Sequence, residues 1–113
     1  MCDSIRSGWL TSGPKVRAFE QAFANYVGAN FPVAVNSCAA AMHLALEAHG
    51  IGPKDAVVTS DYTFTASAEV IRYLGATPVF VDINPVMLTL SPAALARALA
   101  ENPRIRAVIP VHT

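Results

Sequence analysis

Charge is scarce in this chain. Of its 113 residues only 14% are Asp, Glu, Lys or Arg, and eight acids balance eight bases to a net charge of zero. Without a basic excess or a basic stripe, the electrostatic term that dominates binding to nucleic acid is missing, so no nucleic-acid partner is expected. Cysteine is also scarce. Cys2 and Cys38 are too few and too oddly placed for a disulfide framework, and no Cys/His spacing makes a metal site, so no metal is expected. That usage fits a reducing compartment and predicts a cytoplasmic protein. No basic-then-apolar leader opens the chain, and no apolar run approaches the roughly 20 residues of a membrane span, so no membrane partner is expected. Lysine occurs twice, at Lys15 and Lys54.

Apolar residues are what the chain has in abundance, at 53%. A chain this short has much surface to cover for its volume. The composition therefore excludes disorder and predicts burial against more protein, in a longer chain or an oligomer. Asn36-Ser37-Cys38-Ala39-Ala40-Ala41-Met42-His43-Leu44-Ala45-Leu46-Glu47-Ala48-His49 is the most informative stretch. An apolar run, Pro32-Val33-Ala34-Val35, enters it, and a helix with small residues in its first turn leaves it. Such a helix start lets a phosphate approach unpaired backbone N–H groups. Small residues also open many ordinary buried helices, so alone this signal is weak.

The rest of the chain alternates. Residues 1–12 read as a polar, irregular N-terminal segment. Gly13-Pro14 opens a helix in which Val16, Phe19, Phe23 and Val27 make one apolar face, and Gly28 ends it. Val33–Val35 reads as a strand, Cys38–His49 as a helix and Ala56–Thr59 as a buried strand. A turn, Ser60–Thr63, leads into a helix that runs to about Leu74, with Gly75 as its stop. Pro78–Val81 reads as a strand. Ser91-Pro92 caps a helix carrying Leu95 and Leu99, and Ala107–Val111 reads as the last strand. Apolar strands joined by helices predict an α/β fold, three-layer α/β/α with a mostly parallel sheet. Ligands of such sheets sit beyond the carboxyl ends of the strands, here near 36–40, 60–64, Asp82 and His112. With the chain stopping soon after a strand, residues 13–113 are expected to be an incomplete domain.

Six blocks stand in order: Gly8-Trp9-Leu10-Thr11-Ser12-Gly13-Pro14-Lys15-Val16, Phe19-Glu20, Ala34-Val35-Asn36-Ser37, Gly50-Ile51-Gly52-Pro53, Gly75-Ala76-Thr77-Pro78-Val79-Phe80-Val81-Asp82-Ile83 and Ile109-Pro110-Val111-His112. From Gly8 to His112 the chain resembles the N-terminal part of the DegT/DnrJ/StrS family of sugar aminotransferases. The resemblance implies a partial large domain of a fold type I enzyme that uses pyridoxal 5'-phosphate (PLP). It implies a homodimer that moves an amino group from glutamate or glutamine onto a keto-sugar, usually nucleotide-linked. Some relatives carry out a sugar dehydration instead, and a non-catalytic remnant or partner-binding piece is a third reading. The residue that decides between the two reactions, lysine or histidine, lies beyond this chain in the family pattern, as does the acid that pairs the pyridine nitrogen. Neither Lys15 nor Lys54 follows a strand as the family lysine does, so no catalytic residue is assigned here.

Carried over by position, Ser37-Cys38-Ala39 resembles the phosphate-binding turn, which usually reads Ser-Gly-Thr. Ala39 departs from it by lacking the threonine hydroxyl. In Tyr62-Thr63-Phe64-Thr65, Phe64 resembles the aromatic residue that stacks on the pyridoxal ring; on its own it reads as a core residue at a helix start. Cys38 sits at a helix N-terminus but has no partner base placed by sequence. His112 takes a supporting role, Asp82 a structural one, His43 and His49 read as surface or packing residues, and Asp55, Glu47 and Glu69 as solvated charges.

Overall fold

A computed structural model describes residues 2–112. The chain divides into two compact units, Met1–Asn36 and Ser37–Thr113.

The first unit is helical. Helix α1 spans Cys2–Arg6, so a helical turn stands where an irregular segment is expected. Helix α2 spans Pro14–Val27 and opens on proline at its first position, where the missing N–H costs nothing. Gly28 ends it with φ of 72°, a left-handed conformation that L side chains resist. Phe19 and Phe23 stack at 5.9 Å, yet they and Val27 stay half or more exposed. The strand expected at Val33–Val35 does not form. A strand exists only through its ladder, and here the Ala34 N–H donates to Glu20 Oε1 of α2 at 2.8 Å. A side chain has taken the place of a neighbouring strand.

The second unit contains the sheet. Helix α3 (Cys38–Ala48) leads to strand β1 (Ala56–Ser60), then helix α4 (Ala66–Tyr73), strand β2 (Thr77–Val81), helix α5 (Pro92–Glu101) and strand β3 (Ile105–Ile109). The order across the sheet is β2-β1-β3, and both pairings are parallel. Three strands are found where four are expected, and the fold is α/β with a parallel sheet. The last strand ends at Ile109, two residues before the expected Val111.

Strand β1 is the centre, and all five of its residues are buried. Its alternation divides the packing. Val57 joins Leu46, Ile51, Val70, Ile71 and Ala76 in one core, which packs α3 and α4 on one face of the sheet. Val58 points the other way beside its register partners Val79 and Val108. Val79 and Val81 share a groove with Ala94 and Ala98, which lays α5 along β2. Gly75, with φ of 73°, lets the chain turn from α4 into β2 within 3.1 Å of Pro53 Cγ, measured from where a Cβ would stand. Asp55 is not a solvated charge. It is half-buried, accepts the Gly52 N–H at 2.9 Å and lies 3.7 Å from Arg106 Nη1, which fixes the entry into β1.

Ile71 is fully buried in the α4 face of the core. Ile71→Ala is expected to lower stability by about 2–5 kcal/mol, read from the midpoint of urea unfolding. A loss under about 1 kcal/mol would contradict this description of the core.

Candidate functional site

The segment between β1 and α4, the carboxyl end of β3 and the first turn of α3 surround one cleft of about 540 Å³. Each wall follows from local sequence. Ser37 caps α3: its backbone is extended and its Oγ accepts the Ala40 N–H at 3.1 Å. The Ser37 carbonyl accepts the Ala41 N–H, also at 3.1 Å. Within the helix, this leaves Cys38 and Ala39 as the amides that have no acceptor one turn back. Small side chains at both positions keep the approach open.

The second wall is the segment between β1 and α4. Ser60 is buried, and its Oγ donates to the Tyr62 carbonyl at 3.1 Å, bending the chain directly after the strand. Phe64 follows and is 80% exposed. Its side chain is not part of the core formed by the described residues. The third wall is Pro110-Val111-His112, reached as β3 ends. Thr59 Oγ1 donates to the Ile109 carbonyl at 3.3 Å and ties that wall to β1.

The structure thus brings Ser37, Cys38, Ala39, Phe64 and His112 to one cleft. Asp82 is elsewhere, in the groove beside α5, where its Oδ1 accepts the Ile83 N–H and its carbonyl accepts the Ser91 N–H. It is structural, as its position in the sequence suggests. His43 packs edge-on to Tyr73 at 5.7 Å. Thr63, Ser67 and Met42 also line the cleft and carry no sequence signal beyond their neighbourhood. Among the described residues, the lining includes no lysine, arginine or carboxylate. A phosphate there would meet backbone amides, a helix N-terminus and an imidazole, with no nearby carboxylate to repel it. An exposed aromatic face stands beside them. This combination suits a planar, anionic ligand. No group of three or more His, Cys, Asp or Glu able to hold a metal occurs among the described residues. No helix among them is long and apolar enough to cross a membrane.

The model of the DegT/DnrJ/EryC1/StrS aminotransferase family matches residues 1–113. The chain is 53% identical over 110 residues to the spore coat polysaccharide biosynthesis protein SpsC of Bacillus subtilis, covering 97% of this chain and 28% of SpsC. Among solved structures it is similar to DesV of S. venezuelae in complex with a ketimine intermediate, with a TM-score of 0.91 and 39% identity over 98% of this chain and 29% of DesV. It is also similar to the protein Spr1654 of Streptococcus pneumoniae in its PMP form, with a TM-score of 0.90 and 37% identity over 96% of this chain and 27% of that one. The chain spans a little over a quarter of the length of the relatives it matches.

Because Phe64 is exposed, Phe64→Ala is expected to change stability by no more than about 0.5 kcal/mol. A loss of 2 kcal/mol or more in the same urea assay that reads Ile71→Ala would return Phe64 to the core.

Proposed function

Since the chain belongs to the DegT/DnrJ/EryC1/StrS aminotransferase family, we propose that it forms the phosphate-binding and ring-covering part of a PLP-dependent sugar aminotransferase. The observation that carries this reading is the convergence of Ser37, Cys38, Ala39 and Phe64 on one cleft. The amino donor in this reading is glutamate or glutamine, the acceptor is a nucleotide-linked keto-sugar, and the working form is a cytoplasmic homodimer of the longer protein.

When bound, PLP supplies the electron sink for amino-group transfer. The residues of this chain do the holding. Ser37 sets the turn by capping α3. The Cys38 and Ala39 amides would donate to the phosphate, helped by the positive end of the helix. Phe64 would cover the pyridine ring and keep water from it. The wall ending in His112 would line the same cleft. Cys38 serves through its small size and its amide rather than as a nucleophile.

Proton transfer and covalent attachment fall to residues outside this set. Lys15 Nζ donates to Ser4 Oγ at 2.9 Å within the first unit, and Lys54 is exposed in the turn before β1. The purified 113-residue chain supplied with PLP, glutamate and a keto-sugar nucleotide is therefore expected to show no transamination. Turnover that disappears in Lys15→Ala or Lys54→Ala would contradict the assignment.

Ala39 makes a sharper test of the phosphate turn. A threonine hydroxyl there would add one hydrogen bond to a charged group, worth roughly 1.5–3 kcal/mol. Ala39→Thr is expected to tighten PLP by tenfold or more, measured on the full reading frame that contains this chain. Equal dissociation constants for the two proteins would remove residue 39 from the phosphate site.

A further inference from the structure

Three polar side chains are buried among the described residues, Thr59, Ser60 and Ser67, and all three are hydroxyls. A hydroxyl taken out of water needs a partner. Each of these finds one in a wall of the same cleft. Thr59 holds the Ile109 carbonyl and Ser60 holds the Tyr62 carbonyl. Ser67, 6% exposed at the start of α4, holds two consecutive residues: its Oγ lies 2.9 Å from Thr63 Oγ1, and its amide donates to the Phe64 carbonyl at 3.1 Å.

Phe64 needs such support. A ring that is 80% exposed has little packing to direct it. Its direction must come from the backbone that carries it, and that backbone is gripped on both sides of the ring: Ser60 bonds to Tyr62 before it, and Ser67 bonds to Thr63 and to Phe64 itself. Capping of α4 does not account for the Thr63 contact. The N-cap of α4 is Thr65, and no side chain caps that helix end.

We propose that the Thr63–Ser67 hydroxyl pair is a positioning clip for Phe64. It sets the aromatic ring over the cleft before a cofactor arrives, so that binding does not have to order the segment. The inference rests on the reading that Phe64 covers PLP. In this reading Thr63 and Ser67 act through Phe64.

The test uses the full reading frame that contains this chain, with PLP as the probe. Thr63→Val removes the hydroxyl while keeping the shape, and Thr63→Ser keeps the hydroxyl. Two readouts are taken: amide hydrogen exchange at Ser67 without cofactor, and the PLP dissociation constant with the circular dichroism of the bound cofactor. In Thr63→Val, exchange at Ser67 is expected to speed up, PLP to bind about three- to tenfold more weakly, and the cofactor band to shrink. Thr63→Ser is expected to restore all three to within about twofold. Unchanged exchange at Ser67 in Thr63→Val overturns the clip whatever the cofactor does. Faster exchange with unchanged PLP affinity and band overturns its positioning role and leaves it purely structural. A parent protein that binds no PLP overturns the cofactor reading, and the exchange data still judge the clip. If Thr63→Val does not fold, Ser67→Ala removes the same bond from the other side and is read in the same way.

Discussion

The parallel ladder of β1 is the constraint on which the rest of the second unit depends. It is bonded on both edges, to β2 and to β3, and every one of its residues is buried. Parallel neighbours cannot be joined by a tight turn, so each must be reached through a helical crossover. That requirement sends the chain through α4 to β2 and through α5 to β3. It also gives the strands a common polarity, so the ends of β1 and β3 open on the same side. A cleft at that side follows from topology before any side chain is considered.

Within β1, polar side chains enter only at the carboxyl end. Val57 and Val58 fill the two faces of β1, while Thr59 and Ser60 close it with hydroxyls that bond to Ile109 and Tyr62. The first turn of α3 faces the same opening, with its cap made by Ser37 and two amides left over. In the proposed reading, recognition in the cleft is built from backbone amides, a helix end and an aromatic face. A scarcity of charge across the chain is compatible with that reading.

Much of this was legible in the sequence, and the reasons differ by element. Helices α2 and α5 announce themselves through Pro14, Gly28, Ser91 and Pro92, because caps are local chemistry. Strand β1 is legible as an unbroken apolar run bounded by turns. Val33–Val35 carries the same apolar signature and is not a strand, since pairing is not local: Glu20, 14 residues earlier, takes the Ala34 N–H. Ser37 and Cys38 are pointed to by the small residues that open a helix and by the family resemblance, and Phe64 by the resemblance alone. Ser67 was invisible for a related reason. A serine in a helix usually faces solvent, and only the fold shows that this one is buried against Thr63.

A crystal structure of the full reading-frame protein grown with PLP tests the central claim most directly. The account predicts phosphate oxygens within hydrogen-bond distance of the Cys38 and Ala39 amides, with the Phe64 ring stacked on the pyridine. A phosphate bound away from the first turn of α3, or a Phe64 ring turned from the cofactor, would contradict it.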